Sequence, residues 1–263
     1  MTNQSTFVWG LKRSGNHLIA NWLYANYGGV TKDPPITDGL HGQFCDGFVD
    51  PSAGVAFYNN CGRLHSRHFE LGTLGPNDFR RAAQPHRSAI FSIEDCSLSL
   101  AARTAGIAEA TSVLILRDPL NTLASRLAAA QSRPELFRVD EGFIDLLDTY
   151  CAEALNHTQQ LPAKVVISFN RFVDDPTYRN GLADQLGFIN LDAISEVSSY
   201  GGGSSFSTHH TPSPTRRLCL LTHRSSQVRQ EKAQLREALD EVWEWCGRTT
   251  PVVEEVPALS VGN

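Results

Sequence analysis

A chain of 263 residues that is 41% hydrophobic and 19% charged has the material for a substantial packed core, which excludes a disordered polymer. A net charge of −5 argues against sequence-independent nucleic-acid binding, which needs a broad basic face. Six cysteines (Cys45, Cys61, Cys96, Cys151, Cys219, Cys246) show no CxxC pair and no zinc-ligand spacing, so they read as reduced thiols.

The first element is the apolar run "TFVWG", 6–10, a strand candidate that reaches to within about six residues of Met1 and leaves no room for a secretory signal. No apolar run approaches the roughly 18 residues of a membrane span, so the expectation is a cytoplasmic protein without a membrane partner. "LKRSGNH" follows, and then a helix from about Asn16 with Leu18, Ile19, Trp22 and Leu23 at helical spacing. The first N–H groups of such a helix have no internal partners and carry the positive end of its dipole. With Lys12, Arg13, Ser14 and His17 beside them and Gly15 permitting close approach, the turn suits a phosphate or sulfate. A surface turn with two solvated cations is the plainer alternative. It is not the ordinary ATP loop: Gly10 and Gly15 are followed by Asn16 where GxxxxGK[ST] requires lysine.

Residues 28–87, rich in Gly, Pro, Asp and His, read as an excursion over a sheet. Further strand candidates are "SAIFSI" (88–93), "SVLILR" (112–117) and "KVVISF" (164–169), nearly continuous apolar runs that suit a parallel sheet covered on both faces. Helical patterns lie at 97–106, 119–131, 140–158, 177–187 and 224–246. The alternation predicts a single three-layer α/β domain over 1–263, with an open, mostly parallel sheet and helices on both faces. The loop 198–215, "SSYGGGSSFSTHHTPSPT", returns to the last helix and reads as a lid or clamp over ligand, with a plain linker as the alternative.

"SVLILRDPLNTLASR" is a second strand-to-helix unit. Arg117 stands at the strand's carboxyl end and Ser125 eight positions later, where open α/β sheets bind ligands. Two anion-friendly strand ends suggest one ligand with two separated anionic groups.

At these residues the sequence resembles the sulfotransferases that use 3′-phosphoadenosine 5′-phosphosulfate (PAPS). "LKRSGNHLIANWL" is similar to their phosphosulfate loop, and Arg117 with Ser125 keeps the spacing of their 3′-phosphate motif. "VVISFNRFVDDPTYRNGLADQLGF" (165–188) and "SSF" (204–206) resemble later elements in the same order. The resemblance implies a P-loop-like fold, PAPS as sulfuryl donor with adenosine 3′,5′-bisphosphate as product, no metal, and a small-molecule acceptor. It implies nucleotide contacts from Lys12, Arg13, Ser14, Gly15, Asn16, His17, Arg117, Ser125, Ser205 and Phe206. No Arg-Lys-Gly motif follows the glycine-rich loop, so Arg216 or Arg217 must serve in its place. Arg13 stands where many members have lysine, while Asn16 and His17 replace two hydroxyl residues and Leu18 replaces a tryptophan.

An acceptor hydroxyl or amine must lose a proton. Glu94, then Asp95, are the candidate bases, about 22 positions before Arg117. The alternative for this stretch is that Asp95 or Ser97 caps the next helix. Asp33, Asp38 and His41 are further candidates for the base, while His65 and His68 line the acceptor side or face solvent. Two rivals remain: a nucleotide or small-molecule kinase, disfavoured by the missing lysine-hydroxyl pair and Mg²⁺ carboxylate, and a non-catalytic nucleotide-binding protein.

Overall fold

The computed structural model describes residues 4–29, 36–37, 47–50, 52–59, 76–101, 110–131, 133–161 and 163–192. Within them the strands are β1 (Gln4–Gly10), β2 (Ile36–Thr37), β3 (Gly47–Asp50), β4 (Val55–Tyr58), β5 (Ser88–Glu94), β6 (Ala110–Leu116) and β7 (Val165–Ser168). The helices are α1 (Asn16–Asn26), α2 (Pro76–Ala83), α3 (Pro119–Ala130), α4 (Glu141–Ala154), α5 (Phe169–Asp174) and α6 (Pro176–Leu186).

The strands form one sheet in the order β2-β3-β4-β5-β1-β6-β7, parallel from β4 to β7 and antiparallel at β2 and β3. Both faces of the parallel part are covered, which explains the unbroken apolar runs. Phe7 and Trp9 of β1 point with Phe91, Leu114, Phe79 and Tyr150 into one core, beneath α2, α3 and α4. Val8 points the other way, with Ile90, Ile115, Trp22, Phe172 and Leu182, beneath α1, α5 and α6. The architecture is therefore the expected three-layer α/β one.

Residues 28–87 do more than pass over the sheet. They supply β2, β3 and β4, which complete one side of the sheet, and the helix α2. β4 is fully buried yet only four residues long, too short to show a period. Of the 97–106 pattern, the described part is a 3₁₀ turn at Leu98–Leu100, capped by the Ser97 hydroxyl. The candidate helix 224–246 and the loop 198–215 lie outside the described residues.

Local chemistry sets the helix ends. Asp140 Oδ1 accepts from Phe143 N–H at 3.1 Å to begin α4, and Asp175 Oδ1 accepts from Tyr178 N–H at 3.0 Å with Pro176 at the first turn of α6. Asp118 does the same for α3 through Asn121 N–H at 3.2 Å.

Direction of travel fixes the position of the site. From β4 to β5 and from β6 to β7 the chain moves one way across the sheet, with α2, α3 and α4 on one face. After β1 it moves the other way, with α1 on the opposite face, as right-handed crossovers require. The chain thus leaves β1 toward one layer, and β5 and β6, its two neighbours, toward the other. The carboxyl end of β1 is therefore the switch point of the sheet, where sheets of this topology form the crevice that binds ligands.

Candidate functional site

The turn after β1 is built tightly. Ser14 N–H bonds Leu11 O at 3.0 Å, and Arg13 sits at φ 77°, a left-handed conformation that glycine ordinarily supplies. Gly15, at φ 99°, begins α1. A side chain on Gly15 would overlap the Phe169 ring, and one on Gly10 would overlap Asn16 Oδ1. Both glycines are demanded by close approach.

Arg13 joins the first motif to the second. Its Nε donates to Ser125 Oγ at 3.1 Å, and its carbonyl accepts from Arg117 Nη1 at 2.8 Å. Arg117, only 7% exposed, lies with its guanidinium 5.3 Å from the centre of the Phe169 ring. Ser125 accepts from Arg13 through its oxygen, so its own O–H is left to donate. Burial pulls the Arg13 pKa below its ordinary value, with the Glu94 charge opposing the shift. A guanidinium stays cationic under such a shift, so the crevice holds two positive charges in a poorly solvated setting.

The carboxyl end of β5 faces this turn, because Glu94 is in register with Gly10. Glu94 Oε1 accepts from Asn16 Nδ2 at 2.9 Å. Asn16, 3% exposed, also donates to Leu11 O at 3.1 Å and accepts from Ser14 Oγ at 2.9 Å. Its side chain therefore points into the protein and not toward an anion in the crevice. His17 Nε2 lies 3.3 Å from Asn59 Oδ1, beyond the end of β4; an amide oxygen only accepts, so this nitrogen carries the proton.

Asp95 has a different environment. Its two oxygens face Arg126 Nη1 at 3.0 and 2.8 Å, and Oδ1 also accepts from Lys12 N–H at 2.8 Å. Lys12 Nζ stands 3.6 Å from Oδ2, which turns that charge inward. Arg126 donates further to Arg138 O and packs over the Phe143 ring at 3.9 Å. The Ser97 cap proposed as an alternative for this stretch is present, but Asp95 itself serves the ion pair.

The structure thus brings Lys12, Arg13, Ser14, Gly15, Asn16, His17, Glu94, Asp95, Arg117 and Ser125 to one end of the sheet. Ser205, Phe206, Arg216, Arg217, Asp33, Asp38, His41, His65 and His68 lie outside the described residues. Arg126, Asn59 and Phe169 were not singled out in the sequence. Arg126 directly follows Ser125, and Phe169 closes the last strand candidate, but nothing local reveals their partners. Among the described residues no group of three or more His, Cys, Asp or Glu side chains is placed to hold a metal ion, and no helix is long and apolar enough to cross a membrane.

No protein-family model matches the sequence, and no curated protein is significantly similar to it. Among solved structures, the sulfotransferase domain of the olefin synthase from Synechococcus PCC 7002 aligns with 88% of this chain and 94% of its own, at 17% identity and a TM-score of 0.40.

Proposed function

We propose that the protein is a sulfotransferase that moves the sulfuryl group of PAPS to a hydroxyl or amine of a small organic acceptor. One observation carries the reading: the two motifs, about a hundred residues apart in the chain, meet through Arg13, bonded on one side to Arg117 and on the other to Ser125. Two cationic strand ends in one crevice suit a single ligand with two anionic groups.

In the transfer, the acceptor oxygen or nitrogen forms a bond to sulfur while the bond from sulfur to the 5′-phosphate oxygen breaks. The bridging electron pair leaves with adenosine 3′,5′-bisphosphate. Arg13 and the positive end of the α1 dipole stabilise the charge developing on that oxygen by fixed charge and bidentate contact, not by proton donation. Glu94 takes the acceptor's proton. Asp95 is tied to Arg126 and Lys12 and acts as a prop for the loop. Arg117 and Ser125 serve the second anionic group, the 3′-phosphate. The acceptor side draws on His17, Asn59 and residues of 28–87.

Calorimetry with adenosine 3′,5′-bisphosphate tests the donor site. Arg117→Ala should weaken binding roughly 10- to 150-fold, from the loss of charged hydrogen bonds of about 1.5–3 kcal/mol. Arg13→Ala should weaken it as well. Equal affinity in both variants and the wild type would remove the crevice from consideration. Binding without transfer of labelled sulfate from PAPS to a panel of hydroxyl and amine acceptors would favour a non-catalytic nucleotide-binding protein. Metal-dependent phosphate transfer would favour a kinase.

A further inference from the structure

Asn16 occupies the first turn of α1, where a side chain facing outward would meet the anion. Instead it is buried, and three of its four hydrogen-bonding positions are used within the protein: Nδ2 to Leu11 O at 3.1 Å and to Glu94 Oε1 at 2.9 Å, and Oδ1 from Ser14 Oγ at 2.9 Å. Space for this amide exists because residue 10 has no Cβ. Gly10 and Glu94 are themselves register partners on neighbouring strands. A single side chain thus fastens the turn that carries Arg13 to the carboxylate at the end of the next strand.

We propose that Asn16 is a positioning residue that fixes Glu94 relative to the anion loop. This rests on the sulfuryl-transfer reading, in which Glu94 accepts the proton and the loop holds the leaving group. In-line transfer needs both in a fixed mutual geometry, and a misplacement of about 1 Å can cost on the order of a hundredfold in rate. Asn16 supplies that geometry twice. It holds Oε1 by a donated hydrogen bond, leaving the second carboxylate oxygen for the acceptor's proton. It also clamps the turn through Leu11 and Ser14, so that a shift of one end is felt at the other. Asparagine is suited to this because it donates and accepts from one short planar group; an aspartate of the same shape would lose the donor and set a second negative charge against Glu94.

The test uses the full chain and two readouts. In the first, the side-chain NH₂ resonances of Asn16 are assigned by NMR and compared between the wild type and Glu94→Gln. They should move; unmoved resonances overturn the proposal. In the second, Asn16→Ala and the isosteric Asn16→Asp are assayed for transfer and, by calorimetry, for binding of adenosine 3′,5′-bisphosphate. Asn16→Asp keeps the shape and the acceptor for Ser14 but sets a charge against Glu94, so retained nucleotide binding, which needs a folded chain, guards against a simple loss of folding in either variant. The expected result is a fall in kcat of roughly 10- to 100-fold with a much smaller change in nucleotide affinity. In a Glu94→Gln background, Asn16→Ala should lower kcat little further, because both changes disable the same proton acceptor. Equal fold-losses in the two backgrounds, or a fall in affinity as large as the fall in kcat, would sink the idea. Moved resonances in a wild type that transfers no sulfuryl group would instead sink the sulfuryl-transfer reading, while the Asn16–Glu94 contact stood, so the two failures are told apart.

Discussion

Asp95 and Arg126 form a two-oxygen contact at 2.8 and 3.0 Å, with both residues buried beneath the turn that carries Arg13. Removing one partner leaves the other as an uncompensated buried charge, which commonly costs about 3–5 kcal/mol. Asp95→Asn should therefore lower stability by about that amount, read as a lower urea midpoint with an unchanged slope. A wild-type midpoint would mean that the pair contributes nothing to the fold.

Glu94→Gln separates proton acceptance from nucleotide binding. The amide keeps the size of the carboxylate and still accepts from Asn16 through its oxygen. Affinity for adenosine 3′,5′-bisphosphate should persist while turnover falls by about 10²–10⁴, the usual contribution of a general base. Unchanged turnover would transfer the role to one of Asp33, Asp38 or His41.

Arg13 is held at a φ of 77°. A left-handed conformation costs a residue with a Cβ about 1–2 kcal/mol, and glycine escapes that cost. Arg13→Gly and Arg13→Ala should both lose nucleotide affinity, but the glycine variant should be the more stable by about 1 kcal/mol in thermal or urea unfolding. Equal stability would show that the turn relaxes when the guanidinium is removed. The prediction concerns the backbone alone, because both variants lack the bond to Ser125.

A second buried carboxylate is predicted to shape the acid limb of the stability curve. Glu153 is fully buried, 2.8 Å from Lys164 Nζ, and accepts from the Thr158 hydroxyl and from the N–H groups of Gln160 and Leu161. Burial favours the neutral acid, yet the hydrogen bonds outweigh it and the pKa lies below the usual value. A lowered native pKa means that the unfolded chain binds the proton first. The contribution to stability is then complete above the unfolded pKa of about 4.3 and is lost as pH falls from there through the native value. Glu153→Gln should be less stable than the wild type at neutral pH and should show a shallower fall below about pH 4.3, measured by urea unfolding across pH.

What the sequence reveals depends on how far each signal reaches along the chain. The helix over 16–26 is legible because Ile19, Trp22 and Leu23 recur at helical spacing just after a glycine, and all three are buried. β5 and β6 are legible because a strand packed on both faces must be apolar throughout. β4 escapes notice for the converse reason: four residues carry no period, and its place in the sheet comes from pairing with β5. Within the site, Arg13, Arg117 and Ser125 announce themselves through strand-to-helix punctuation, a local property. Their mutual contact, and the tasks of Asp95 and Asn16, follow from which strands become neighbours. Arg126 is 31 residues from Asp95, and Glu94 is 78 from Asn16, so no window along the chain contains either pair.

The turn between β1 and α1 is braced on three sides: Asp95 grips the Lys12 amide, Arg117 grips the Arg13 carbonyl, and the Phe169 ring closes the space above Gly15. A ligand arriving there meets a cradle already set in shape, so little of its binding energy is diverted into ordering the peptide chain. Association at this end should accordingly show a single fast phase, with no slow step in which the turn rearranges around the ligand.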